Sequence, residues 1–164
     1  MHRRWPVAFL CAVTALACTR GPAAPADGAA TVVEVVDGDT VVLDIGGREE
    51  HVRLIGIDTP EVFVDDGEQP ECFGPEASAF TKQLLPRGTA VRLERDIVGR
   101  DDYGRLLAYV HLAADDRFVN LEIVEHGYAT PLSIAPNTTY ARRFVAAATA
   151  AEAAGVGLWA ACGG

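Results

Sequence analysis

The sequence predicts an α+β domain over residues 31–162: a five-stranded OB-like β-barrel with three packed helices. Two observations predict it. Apolar residues recur first at strand spacing and later at helix spacing, in the order βββ-α-ββ-α-α. The opening β-branched runs are short and separated by Asp-Gly and Gly-Gly turns, the pattern of a meander.

Thr31–Val36 is the first strand, and Asp37-Gly38 is a two-residue hairpin signal because both residues tolerate positive φ. Thr40–Ile45 returns, Gly46-Gly47 turns, and His51–Ile57 alternates as a third strand. Residues 61–73 form an irregular acidic loop. Pro75 opens a helix with Glu76 in its first turn, and Ala77, Phe80, Leu84 and Leu85 carry the spacing up to Pro86. Ala90–Arg95 and Arg105–Leu112 read as the fourth and fifth strands. Val119–Glu125 is a helix stopped by Gly127, and Tyr140–Ala154 is an Ala-rich helix stopped by Gly155. Trp159 reads as core.

The N-terminus reads as an export segment. Arg3 and Arg4 precede the uncharged apolar run Val7–Ala17, and small residues follow. That run is shorter than the roughly 20 residues a membrane-spanning helix needs. Residues 1–18 are therefore assigned as a signal peptide, extending to about residue 26 if cleaved in the ordinary way, and residues 19–30 as a flexible Ala/Pro/Gly linker. Ala15-Leu16-Ala17-Cys18 is similar to a bacterial lipobox, so lipidation of Cys18 with membrane anchoring is the alternative to ordinary cleavage. Both place the domain outside the cytoplasm, in the extracellular or periplasmic space.

Cysteine usage agrees. Cys11 and Cys18 lie in the signal, leaving Cys72 and Cys162 in the domain. A pair in an oxidising compartment usually bridges, and this one would close a loop of 90 residues. Two free thiols or a metal pair are the alternatives, but no second CxxC or His cluster supports zinc. His51, His111 and His126 are isolated.

Charge argues against a polyanionic partner. The formal net charge is −9, and residues after 18 carry 12 basic against 23 acidic side chains, a net of −11. Nucleic-acid binders are usually basic, because phosphate contacts release counterions. A case for such a partner must rest on a local site.

Three patches concentrate chemistry: Asp37-Gly38-Asp39-Thr40, Arg53 through Asp58-Thr59-Pro60-Glu61, and Asp101-Asp102-Tyr103-Gly104-Arg105. Each falls at a strand end or turn, where sites on small barrels sit. In a regular strand Arg53, Ile55 and Ile57 share one face, and an Arg inside an apolar strand is costly unless it meets an anion. Gathering Asp39, Asp58 and Glu61 would be equally costly without a cation.

These patches, with Gly74-Pro75-Glu76-Ala77-Ser78-Ala79-Phe80-Thr81, Asp102–Tyr109 and Gly157-Leu158-Trp159, occur in the order seen in the thermonuclease (staphylococcal-nuclease-like) family, which residues 31–162 resemble closely. The resemblance implies a calcium-dependent phosphodiesterase that hydrolyses single- or double-stranded DNA and RNA and leaves 3′-phosphates, acting as a monomer. It implies that Asp39 and Asp58 bind calcium through carboxylates and Thr59 through its carbonyl. It gives Arg53 and Arg105 the scissile phosphate, Glu61 the attacking water as general base, and Tyr103 a nucleotide phosphate or sugar. The chemistry is coherent. Calcium takes hard oxygen donors, guanidinium forks match phosphate oxygens, and in-line attack needs a carboxylate beside the water.

The sequence departs from the family in charge and aromatics. Asp102 stands where a lysine is familiar, and the loop after Glu61 carries Asp65, Asp66, Glu68 and Glu71. The stretch Pro131–Asn137 has no aromatic where the family has tyrosines that flank a nucleotide; Tyr128 nearby reads first as an ordinary packed helix-end tyrosine, with partial compensation for the missing aromatics as the alternative. A catalytically silent OB-type nucleic-acid-binding module is the alternative reading. It gives no reason for a complete set of Asp39, Arg53, Asp58, Glu61 and Arg105.

Overall fold

Short alternating runs become β1 (Ala29–Val35), β2 (Thr40–Asp44), β3 (Glu49–Leu54) and β4 (Gly56–Asp58). Then follow α1 (Gly74–Leu84), β5 (Ala90–Glu94), β6 (Leu106–Leu112), α2 (Val119–Glu125), β7 (Thr130–Leu132), α3 (Ala141–Ala154) and α4 (Leu158–Ala161). The computed structural model describes residues 29–62 and 69–163. The signal segment, Cys18, most of the linker, and Asp65, Asp66 and Glu68 lie outside the described residues.

Five strands close a barrel in the order β1-β2-β3-β6-β5, the OB-like arrangement the sequence predicts. All neighbours are antiparallel except β3 and β6, which run parallel. A bulge between Val32 and Glu34 lets both Val32 and Val35 point inward. Val41, Leu43, Val52, Leu54, Val91 and Val110 fill the barrel, and Ile123, Val124 and Phe144 of the helices extend the core. Burying such side chains contributes about 1.5–3 kcal/mol each.

Four expectations change. A short fourth helix, α4, follows the three predicted. The predicted third strand, His51–Ile57, breaks at Ile55, so Arg53, Ile55 and Ile57 do not share one regular face. Gly56 is the cause. It sits at φ +84°, and a Cβ there would strike the Phe144 ring. The released segment becomes β4, which pairs with β7, a three-residue strand with no periodicity of its own to announce it. Buried Asn120 ties down the break. Its Nδ2 donates to Ile55 O at 2.9 Å, and its Oδ1 accepts Val110 N–H at 2.9 Å.

The first turn differs as well. Residues 36–39 separate β1 from β2, so the loop is longer than a two-residue hairpin. Gly38 does not adopt positive φ. It is needed for space, since a Cβ there would lie 2.6 Å from Thr59 Oγ1. Finally, Trp159 is only half-buried and packs at the core's edge from α4.

Cys72 and Cys162 are bonded, with Cα atoms 5.8 Å apart. The bond joins the segment before α1 to the end of α4. Among the described residues no helix is long and apolar enough to cross a membrane.

Candidate active site

The turn after β1 is built to present Asp39. Asp37 Oδ1 accepts the N–H groups of Asp39 and Thr40 at 3.0 and 2.7 Å, closing a tight Asx turn. Thr81 of α1 donates its hydroxyl to Gly38 O at 2.7 Å and pins the turn from behind. Asp39 is buried. Its Oδ2 accepts the N–H and the hydroxyl of Thr59 at 2.9 and 3.1 Å, and its Oδ1 accepts the Thr40 hydroxyl at 3.2 Å. Burial pushes the Asp39 carboxyl above its usual range, although Arg53 and the Thr59 bonds pull the other way.

Arg53 lies opposite Thr40 in the β2–β3 ladder. Its Nε meets Asp39 Oδ1 at 3.0 Å and its Nη2 meets Asp58 Oδ1 at 2.9 Å. Its Nη1 donates to Leu54 O and Ile57 O, both at 2.8 Å. The break at Ile55 thus curls the chain around the guanidinium and sets Asp58 beside it. Two carboxylates, 19 positions apart in sequence, converge on one cation. A guanidinium has five N–H donors. Three of them make hydrogen bonds and Nε adds an ion pair to Asp39, so most of the Arg53 guanidinium is committed within the fold.

Arg105 supplies what Arg53 lacks. Asp101 accepts Arg105 Nε at 2.7 Å, Arg105 N–H at 2.9 Å and Tyr103 N–H at 3.1 Å. Burial raises the Asp101 carboxyl, but these bonds outweigh it and hold the group below its usual range. Neither Nη of Arg105 has a protein acceptor among the described residues. Its guanidinium carbon stands 5.5 Å from the centroid of the Tyr103 ring, which is 88% exposed. Arg53, Arg105 and Tyr103 line one groove of about 420 Å³, with Asp102, Leu132 and Ile134 on its walls. Asn137 fixes the far wall by exchanging bonds of 2.8 Å with the backbone N–H and C=O of Val98.

Glu61 is exposed and follows Thr59 by two residues. Partial burial raises its carboxyl first, and the nearby charges of Asp37, Asp39, Asp58 and Glu71 add to the shift. Its own backbone is held by Glu71, whose Oε2 accepts Glu61 N–H at 2.9 Å.

The donor set suits a hard cation. Asp39 and Asp58 approach each other closely enough to share Arg53, and Thr59, bonded to Asp39 and next to Asp58 in the chain, carries a backbone carbonyl beside them. Among the described residues no cluster of three His, Cys, Asp or Glu side chains forms a metal cage. Two carboxylates and a carbonyl would leave most of a calcium shell to water and substrate, as a cation working on a phosphate requires.

The structure therefore brings Asp39, Arg53, Asp58 and Thr59 into direct contact. It places Arg105 and Tyr103 with Arg53 in one groove, and Glu61 where the charges of Asp37, Asp39 and Asp58 reach it. Tyr128 is not in the groove. It stacks between Phe80 at 4.1 Å and Phe73 at 5.2 Å, so it is a packing residue. Sequence reasoning missed Asp101 and Asn137 as supports of the groove. An Asp two residues before a turn Tyr signals Asp101 weakly, and nothing local signals Asn137.

Comparison with known proteins gives an independent view. Residues 51–161 match the family described as "Staphylococcal nuclease homologue". The chain is 43% identical over 109 residues to the thermonuclease of Staphylococcus intermedius, covering 66% of this chain and 62% of that protein. It is 38% identical over 128 residues to the thermonuclease of Staphylococcus hyicus, covering 78% of this chain and 73% of that one. It is also 34% identical over 146 residues to endonuclease YhcR of Bacillus subtilis (strain 168), covering 84% of this chain and 12% of that protein.

Proposed function

The chain belongs to the staphylococcal nuclease family, and on that premise we propose that it is a calcium-dependent phosphodiesterase hydrolysing DNA and RNA to products with 3′-phosphates. The observation that carries the reading is the meeting of Asp39 and Asp58 at Arg53, on the rim of a groove that Arg105 also lines. Relatives include two thermonucleases and an endonuclease.

Asp39, Asp58 and the Thr59 carbonyl would hold the calcium, which supplies Lewis-acid polarisation of a phosphoryl oxygen when bound. Arg105 grips the phosphate with its two free Nη groups, a bidentate fit that a lysine lacks. Arg53, with Arg105, offsets charge that builds on the five-coordinate phosphorus. Glu61 takes the proton of the attacking water. A carboxylate held above its usual range by burial and acidic neighbours is the stronger base. Tyr103 lies flat beside Arg105 and meets the sugar or an adjacent phosphate.

The acidic surface tempers this chemistry. Asp102 on the groove wall repels a polyanion, so attraction at a distance is weak and binding relies on the site itself. The signal-like residues 1–18 and the Cys72–Cys162 bond support export to an oxidising compartment.

Incubation of the purified protein with single-stranded DNA and with RNA tests the reading. Calcium-dependent cleavage, abolished by a chelator and by Glu61→Ala, with 3′-phosphate ends, is the expected result. Binding without cleavage would instead establish the silent OB-type module.

A further inference from the structure

Glu61 is exposed, so its position is decided by how its backbone is held. One residue holds it from both sides. Glu71 Oε2 accepts Glu61 N–H at 2.9 Å, and Glu71 N–H donates to Glu61 O at 2.9 Å. The start of α1 closes against the same peptide. Gly74 is buried, and a Cβ there would lie 2.5 Å from Glu61 O and 3.1 Å from Pro60 O. Gly74 N–H in turn donates to Glu71 O at 3.0 Å.

The clamp is anchored covalently. Cys72, next to Glu71, is bonded to Cys162 at the end of α4. Phe73 then takes φ +71°, a left-handed conformation that a bulky residue rarely adopts. Such a conformation persists only where its surroundings over-determine it. Here the bridge fixes one side, and the stack of Phe73 on Tyr128 fixes the other. The bond from Glu61 N–H to the Glu71 carboxylate is exposed, and water competes for both groups, so alone it contributes little.

We propose that Glu71 is a positioning residue for Glu61 and that the Cys72–Cys162 bond keeps it in place, so that the turnover rate depends on the oxidation state of this pair. The proposal rests on the reading of Glu61 as the general base. Both cysteines are exposed and line a cleft beside Asp58 and Thr59, so a small dithiol reaches them. Reduction by that dithiol breaks the S–S bond and leaves two thiols, and the dithiol becomes a cyclic disulfide. Two electrons and two protons pass to the protein. The phosphate and cation groups are held differently. Asp39, Thr59 and Arg53 are locked to one another, and Asp58 is paired through β4 and β7. Loss of the bridge therefore acts on Glu61 selectively.

The test compares oxidised protein, protein kept in dithiothreitol, Cys162→Ser, Glu71→Ala and Glu71→Gln. Displacing a reacting group by about 1 Å costs on the order of 100-fold. The reduced protein, Cys162→Ser and Glu71→Ala should lose about 10- to 100-fold in kcat, with KM and calcium affinity within about twofold. Glu71→Gln keeps an acceptor for Glu61 N–H and should recover most of the kcat lost in Glu71→Ala. Amide hydrogen exchange reads the clamp without substrate or metal. Exchange at Glu61 and Glu71 should accelerate at least about tenfold in the three weakened forms, while Leu54, bonded to Asp39 O, keeps its protection. The proposal is overturned if kcat is unchanged, or if kcat, KM, calcium affinity and Leu54 protection decline together. If the oxidised protein cleaves nothing, the reading of the site fails. The exchange arm then still decides the clamp, and unchanged Glu61 exchange on reduction overturns it.

Discussion

The carboxylate of Asp39 receives both the backbone N–H and the hydroxyl of Thr59, at 2.9 and 3.1 Å. Two proposed cation ligands are thus locked together by the protein before any ion arrives. Asp39→Ala removes one ligand and leaves the Thr59 donors and Arg53 Nε short of a partner. Calcium affinity, measured by isothermal titration, should fall by roughly 100-fold or more, because ligand charge sets it. Urea unfolding without calcium should show a loss of about 1–3 kcal/mol from the stranded donors.

Arg105 is the cleaner probe of phosphate recognition, because its two Nη groups are free while Arg53 is tied into the fold. Arg105→Lys keeps the charge and loses the fork. Steady-state kinetics should show a fall in kcat of about 100- to 1,000-fold, the usual effect of losing a transition-state donor. The melting temperature should move little, since the side chain is partly exposed, with an ion pair to Asp101 and a ring contact with Tyr103.

Asp101 links the groove to acid stability. Its carboxyl is held below the ordinary value of 3.8, because bonds from Arg105 and Tyr103 outweigh the effect of burial. A depressed folded-state value adds stability above the unfolded value, and that stability is lost as pH falls through the folded one. Between pH 4 and pH 2 the wild-type protein should therefore lose stability more steeply than Asp101→Asn. Thermal melts across that window check it, and parallel curves would remove Asp101 from this role.

Gly56 turns the chain so that Asp58 meets Arg53. Gly56→Ala adds a Cβ at φ +84° and drives it into Phe144. Left-handed backbone costs about 1–2 kcal/mol for a non-glycine, and overpacking adds about 1–3 kcal/mol. Chemical denaturation should report a loss of about 2–5 kcal/mol by those two costs together. Calcium affinity should weaken as well, since β4 carries Asp58.

Much of this was legible in the chain. Strand and helix periodicity predicted the five barrel strands, and α1, α2 and α3 fall within a residue or two of the expected bounds. The site patches were legible because Asp39, Arg53, Asp58 and Arg105 are polar groups at strand ends, where a purely structural chain has little use for them. The split of the third strand was not. His51–Ile57 has uninterrupted strand character, and its break depends on Phe144, 88 positions later, pressing on Gly56. β7 was hidden for the same reason, because a three-residue strand exists only by pairing with β4.

By itself the sequence determined which residues alternate, where turns are permitted and which side chains have chemistry to offer, since these follow from local sterics and hydrophobic period. Tertiary structure alone decided which of those side chains meet. Arg53 reaches Asp39 and Asp58 because the barrel closes β2 against β3 and the glycine break turns β4 back. Glu71 clasps Glu61 from ten positions away, beside the Cys72–Cys162 bond. Proximity between distant residues is a property of the closed chain, and local residue preferences do not encode it.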